Sequence, residues 1–448
     1  MEADLVVKGG KLVTPKEVIE AGVAVKDGKI IKIAKEPGLP EAGEVVKADG
    51  KVIIPGVIDA HCHIHDPDYT YREDFESGSK AAAAGGVTVL IDMPLVLTVL
   101  SDMIKRKIEE GERTSVVDFS FHAGMMKPEY LGEIPAIASL GVKSFKLFTT
   151  QPFKVDWEGV RSIVGEVSKV NGVTVVHAED DEVISEWVRR VKEEEGRKDV
   201  LAHFDSRPAE AEGEAIRKLI EISEEMGGHI HIAHMTTTVG TVLVRDAKRR
   251  GISVTAETCP QYLVFTRRDI ERLGPYLKMT PPLRTRDDVI SLWKGLADGT
   301  IDMVVTDHAP GTREEKEVGW KDIWKAWGGI PGVETLLPIM LSEGVNKGRI
   351  TPMKLVEVMC QRPAEVFGLY PRKGTLKEGS DGDLVIVDMK KEVTIRAGIL
   401  HYKVGWTPYE GMKVVGYPEE TIIRGKVVAE DGEILAKPGY GRFVAMTR

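Results

Sequence analysis

Asparagine and glutamine are nearly missing from this chain: Asn171, Asn346, Gln151, Gln261 and Gln361 are the whole supply in 448 residues. Depletion of deamidation-prone amides beside abundant Glu and Lys is the composition of a heat-adapted protein. Cysteine is almost as scarce. Cys62, Cys259 and Cys360 cannot build a disulfide framework, and none has a CxxC partner, so a reducing, cytoplasmic setting is expected. No apolar run approaches the ~18 residues that suggest a membrane span. The first ten residues alternate like a strand and do not follow a signal-peptide layout. Positive charge is short too: 61 Lys and Arg against 70 Asp and Glu leave a net charge of −9, which argues against a nucleic-acid partner. No P-loop is present, and no GxGxxG follows the first strand pattern.

What remains is an ordinary globular composition, with 42% hydrophobic and 29% charged residues and 46 Gly. The length suggests about two or three domains, or one large barrel with an added module. Residues 4–7, 22–25 and 29–33 read as short strands, with Asp27-Gly28 as a hairpin turn between the last two. The same texture returns at 383–388, 392–395 and 421–428, with Asp431-Gly432 as another turn. Such short strands are stable only if both ends contribute to one sheet structure, so a small β-sandwich built from 1–52 plus 380–448 is expected. Between them, strand patterns at 52–60, 87–93, 116–122, 144–148, 173–177, 229–234, 253–257 and 303–307 alternate with helical stretches such as 75–84, 157–170, 209–226 and 287–297. This α/β alternation predicts a parallel (β/α)8 TIM barrel over 53–379, in preference to a doubly wound open sheet.

Reactive groups of such barrels sit at the C-terminal ends of the strands, and here those ends carry metal-ligand types. The first ends in Asp59-Ala60-His61-Cys62-His63. Residues two apart on a strand share a face, so His61 and His63 can chelate one ion while Cys62 faces away. The fifth ends at His177, the sixth at His234 and the eighth at Asp307. Singly, each is as easily a buried polar residue satisfied by backbone; four strand ends converging on His or Asp favour a metal centre. Lys146 sits in the fourth strand between Phe145 and Leu147. Burial lowers a lysine pKa, and a neutral amine that took up CO2 would offer two carbamate oxygens to two cations. The bland alternative is a lysine that snorkels to solvent.

The segment GVIDAHCH at 56–63 resembles the first metal motif of the dihydroorotase, allantoinase and dihydropyrimidinase (hydantoinase) group of cyclic amidohydrolases. FESGSKAAAAGGVTVLIDM at 75–93, SFKLF at 144–148, HAED at 177–180, ETCPQYL at 257–263, PPLR at 281–284, TDHAP at 306–310 and KGTLKEGSDGDLVIVD at 373–388 extend the resemblance over nearly the whole chain. It implies that His61, His63 and Asp307 hold the more buried of two divalent ions. His177 and His234 would hold the other, with Lys146, as N6-carboxylysine, bridging both. The donor types make zinc the expected ion, with manganese, cobalt or iron as alternatives. Two cations acidify a shared water, and Asp307 acts as general base and then acid. His308 is expected to orient its neighbours, and His122 and His203 to pack or cap. The resemblance also implies a homo-oligomer.

The substrate side departs from dihydroorotase. His65 stands where those enzymes clamp a carboxylate with Arg, Leu95 and Thr280 where they place Asn, and Gly311 where they place His. Losing a bidentate clamp costs on the order of several kcal/mol of binding. DMPL at 92–95 resembles allantoinase and Gln261 resembles hydantoinase, although Gln151 replaces the Tyr that hydantoinases carry five residues after the lysine. An allantoinase-like or hydantoinase-like activity on a small cyclic amide or imide is expected, with His65, Gln261 and Thr280 as candidate substrate contacts. Dihydroorotase and a non-catalytic scaffold are the alternatives, and the complete set of six ligands argues against the scaffold. Trp320, Trp324 and Trp327 have the spacing of one helical face, either packed on the barrel or forming an aromatic lid.

The scarcity of Asn and Gln predicts that the purified protein outlasts an incubation of many minutes at about 80 °C. Thermal inactivation with a half-life of minutes at that temperature would contradict the heat-adapted reading.

Overall fold

The computed structural model describes residues 2–94 and 98–447. Its first decision is taken at Gly56. A Cβ there would lie 2.1 Å from Thr88 Oγ1, so only glycine lets the chain pass this close to the neighbouring strand. The expected single strand over 52–60 is therefore two. Val52–Pro55 pairs antiparallel with Leu384–Thr394 in the terminal β module, and Val57–Cys62 pairs parallel with Val87–Asp92 in the barrel.

Barrel strands follow one another in chain order and run parallel: Val57–Cys62, Val87–Asp92, Asp118–Phe121 continued by Ala123–Gly124, Ser144–Phe148, Val173–His177, His229–Ile232, Val254–Thr258 and Met303–Val304. The ladders form two sheets, which share the third strand across His122. Their outer edges meet where Asp307 N–H donates to His61 O (2.9 Å) and His63 N–H to His308 O (2.7 Å). The eighth ladder stops at Val304, short of the expected 307, because Asp307 adopts a left-handed backbone with φ 50°.

Local chemistry sets the helices. Asp74 and Ser77 form a capping box at the start of Phe75–Ala84, and Asp156 accepts from Gly159 N–H at the start of Trp157–Lys169. Left-handed Gly227 and Gly299 end Ala209–Met226 and Arg286–Asp298. Among the described residues no helix is long and apolar enough to cross a membrane.

The β module has a seven-stranded sheet mixing both chain ends and a four-stranded sheet from the N-terminal part. Leu5, Val23, Ile30, Ile53, Leu384 and Ile422 from the two sheets share one apolar core. Both expected turns are present, with φ 51° and 76° at Asp27-Gly28 and 47° and 85° at Asp431-Gly432. Two stretches expected in this module instead reach the barrel. Trp406 Nε1 donates to Gly311 O (2.8 Å), and near the C-terminus Val444 N–H donates to Phe119 O (2.8 Å).

A buried charge cluster ties module to barrel. Lys373 Nζ lies 2.5 Å from Asp118, 2.6 Å from Asp383 and 2.9 Å from Asp381, and Arg424 also binds Asp118. Removing the ammonium strands carboxylates in a dry site, so Lys373→Met is expected to lower unfolding stability by about 3–5 kcal/mol. A denaturant midpoint equal to that of the unsubstituted protein would contradict the clamp.

Candidate metal centre

The ends of the strands converge as their residue types suggest. His63 Nε2 lies 3.1 Å and His61 Nε2 3.4 Å from Asp307 Oδ1. One ligand atom from each of these three residues falls within 4.8 Å of the others, as a shared cation requires. His177 Nδ1 and His234 Nε2 stand 3.1 Å apart, and the His234 and His61 ring centroids are 5.3 Å apart, so the two groups adjoin. Cys62 turns away toward Ile91 O.

Lys146 is buried and does not snorkel. Its Nζ has no hydrogen-bond partner and lies 5.0 Å from the Phe148 ring centroid. Burial pushes its pKa down to about 8, and its charge acts on His61, His177 and His234. Burial likewise lowers the pKa of these three imidazoles, keeping them neutral. Burial alone would raise the Asp307 carboxyl, but the His63 hydrogen bond and the nearby His61 and His234 hold it below the ordinary range. His63 Nδ1 and His234 Nδ1 are also buried without partners. Neutral imidazoles, a carboxylate and an unpaired amine in one dry site suit a divalent cation that favours nitrogen and oxygen.

Two of these residues are held off the usual backbone. His234 has φ 34° and Asp307 φ 50°, each costing about 1–3 kcal/mol for a residue other than glycine. Thr306 is fixed on three sides beside Asp307. Asp59 accepts from its N–H (3.0 Å) and its hydroxyl, and Gln261 Nε2 donates to its carbonyl (2.9 Å). Burial raises the Asp59 carboxyl to about 7.

Sequence reasoning missed two carboxylates. Glu257 accepts from His61 Nδ1, from the His234 N–H (3.1 Å) and from His231 Nε2 (3.0 Å). Glu179 accepts from His177 Nε2 (2.7 Å) and from Arg207 Nε (3.1 Å). Burial opposes ionisation of both, yet His61 and His231 in one case, and Arg207 and His177 in the other, keep their pKa values well below the usual range. Each orients a histidine from behind. The signal was available: both lie in the HAED and ETCPQYL motifs, and Glu257 sits near the end of the one late strand without a ligand. His308 Nε2 lies 3.2 Å from Glu73, and its Nδ1 accepts from Gly332 N–H. His122 and His203 bind the Ala60 and Met279 carbonyls.

The expected substrate contacts divide. His65 is buried with both ring nitrogens unpartnered, beside Trp327 and Tyr69, and burial lowers its pKa to about 2. Thr280 is half-buried beside Gly328. Gln261 is turned inward, its carboxamide engaged by Thr306 O and the Tyr409 hydroxyl. Leu95 lies outside the described residues.

The three tryptophans do not share a helical face, because the segment breaks into the short turns Val318–Trp320 and Ile323–Lys325. Trp320 covers Gly274, Trp324 Nε1 donates to Arg197 O (2.8 Å), and Trp327 alone stands near His65. A Cβ at Gly311 would lie 2.4 Å from the Trp327 ring. Arg72 stacks 3.7 Å from the Trp327 centroid and is held by Glu315 through Nε (3.0 Å) and Nη2 (2.5 Å). Two lysines fix this loop from below. Lys316 Nζ donates to Lys278, Trp327 and Gly329 carbonyls, each at 2.9 Å, and Lys278 Nζ to Ile323 (2.8 Å) and Ala326 (2.6 Å) carbonyls.

Comparison with known proteins adds ancestry. The profile of the Amidohydrolase family matches residues 52–428. The chain is 39% identical to the L-hydantoinase of Paenarthrobacter aurescens over 450 residues, covering 98% of each chain. It is 37% identical to an allantoinase of Rubrobacter xylanophilus over 455 residues, covering 99% of this chain and 98% of that one. The solved L-hydantoinase (dihydropyrimidinase) from Arthrobacter aurescens superposes with a TM-score of 0.96 at 38% identity, covering 99% of this chain and all of that one (100%).

Lys316→Met would orphan three carbonyls, two of them (Trp327 and Gly329) in the loop, at about 1–3 kcal/mol for each group left unpaired. Faster proteolysis within 311–329, with barrel unfolding little changed, is the expected result; an unchanged cleavage rate would show that the lysine does not hold the loop.

Proposed function

The chain belongs to the amidohydrolase family, and we propose that it is a binuclear-metal hydrolase that opens a five-membered, hydantoin-type ring by cleaving a ring amide C–N bond. The observation that carries this reading is the convergence of His61, His63, His177, His234, Asp307 and the unpartnered amine of Lys146 in one buried site. His61, His63 and Asp307 would hold one ion and His177 and His234 the other, with Lys146, carboxylated on Nζ, shared between them; zinc suits these donors best. When bound, such cations supply a water acidic enough to attack near neutral pH and polarise the ring carbonyl.

The protein's own residues do the rest. Asp307, kept ionised, accepts the proton of the attacking water and returns it to the departing ring nitrogen. Glu257 and Glu179 hold His61 and His177 in orientation, so the site is assembled before substrate arrives. A neutral His65 offers one N–H and one bare nitrogen, which matches the alternating carbonyl and N–H edge of a cyclic imide. Nothing in that loop supplies a free carboxylate clamp, because Arg72 is committed to Glu315 and Trp327. This disfavours dihydroorotate and suits rings with a neutral substituent, which include both substituted hydantoins and allantoin, itself a ureido-hydantoin.

A hydrolysis screen over 5-substituted hydantoins, allantoin, dihydrouracil and dihydroorotate, with metal content measured on the same preparation, tests the assignment. Hydantoin-ring opening with about two ions per chain is expected; turnover of dihydroorotate alone would overturn it. Asp307→Asn should lower kcat at least ~100-fold, the scale of lost acid–base catalysis, while much of the metal stays bound.

A further inference from the structure

Barrel interiors are normally filled by branched apolar side chains, yet this one carries a polar column under the metal centre. His229 Nε2 lies 2.8 Å from Thr255 Oγ1, which lies 2.8 Å from His231 Nδ1. His231 Nε2 lies 3.0 Å from Glu257 Oε2, and Glu257 Oε1 meets His61 Nδ1. His231 is 0% exposed, and Glu257 and His61 are each 1% exposed.

Donor and acceptor counting fixes the direction of this column. An ionised carboxylate only accepts, so His231 Nε2 and His61 Nδ1 must both carry their protons. His231 Nδ1 is then bare and accepts from the Thr255 hydroxyl, whose oxygen accepts from His229 Nε2. Each contact is satisfied in this single polarity, and it leaves His61 Nε2 bare on the side of Asp307. Glu257 Oε1 also receives the His234 N–H, so one carboxylate steadies a proposed ligand of each ion.

Without His231, Glu257 Oε2 would face a dry core with no donor. The carboxylate would turn toward another donor, and His61 would lose the partner that fixes its tautomer. We propose that His231 is a positioning residue for the metal centre, acting through Glu257 to hold His61 with Nε2 toward the ion. This rests on the metal-centre reading given above. Thr255 is the next support, because its hydroxyl fixes the His231 tautomer.

The test is competitive zinc titration of chelator-stripped protein: wild type, His231→Leu, His231→Gln and Thr255→Val, with the melting temperature of each stripped protein recorded alongside. His231→Leu is expected to weaken at least one of the two ions by ~10–100-fold, the usual cost of losing a partner behind a ligand. Thr255→Val should do so to a smaller degree. His231→Gln, which keeps a side-chain N–H for Glu257, should recover much of the affinity, a pattern that a general loss of packing would not give. If His231→Leu does not fold, Thr255→Val and His231→Gln decide the matter. Two ions bound as tightly as in wild type by His231→Leu, or by Thr255→Val where His231→Leu does not fold, would overturn the inference alone. A wild type that takes up no zinc would overturn the metal-centre reading itself.

Discussion

The Asp307 N–H donates to the His61 carbonyl over 2.9 Å, and the His63 N–H to the His308 carbonyl over 2.7 Å. These bonds join the first strand to the eighth, His63 and Asp307 being 244 positions apart. They place the Asp307 carboxylate, from one outer edge, beside the His61 and His63 imidazoles at the other. The junction is not relaxed: Asp307, like His234, has a left-handed backbone, and such conformations persist only where the surroundings over-determine them. Asp59 and Gln261 do this for Thr306, and Glu257 for the His234 N–H. The residues around the centre therefore serve geometry first, and their polarity is the means.

Buried charge is handled by one rule in three places. Lys373 faces three aspartates where module meets barrel, Lys316 and Lys278 face backbone carbonyls beneath the mouth loop, and Glu179 faces Arg207 and His177. In each, partners stand at hydrogen-bond distance, although burial still lowers the pKa of Lys278 and Lys316. Lys146 breaks the rule, since its amine is as buried as these and has no partner. A charged amine without a partner is disfavoured in such a place, and burial lowers the Lys146 pKa to about 8. That contrast is why Lys146 reads as part of a reactive centre and Lys316 as part of the scaffold.

Much of this was legible in the sequence because strand periodicity and ligand type coincide at the same positions. His61, His63, His177, His234 and Asp307 end or follow apolar runs, and a parallel barrel brings those ends together. The split of 52–60 was hidden because Gly56 lies inside an unbroken apolar stretch, and only the approach of Thr88 shows why it divides. The tryptophans misled for a related reason. Spacings of four and three imply one face only if a helix persists, and Gly319 and the Asp322 cap on Trp324 N–H interrupt it. The direction of Gln261 was not legible because a motif gives residue type without direction; its carboxamide points to Thr306 and Tyr409. Glu257 was passed over because its importance appears only through the contacts it makes with His61 and His234.

Two of the departures from dihydroorotase, at His65 and Gly311, are coupled in space through Trp327. Gly311 lacks a side chain, and the Trp327 indole fills the volume that a Cβ would need. Trp327 in turn receives the Arg72 guanidinium on its face, and Glu315 holds that guanidinium from the side. His65 sits under the same indole, buried and neutral. Restoring a carboxylate clamp would therefore take more than one substitution. A side chain at Gly311 would displace Trp327, which would free Arg72 from its stack and uncover His65. A set of residues that must change together constrains this part of the mouth more firmly than any one of them, and in it the Arg72 charge is already met by Glu315.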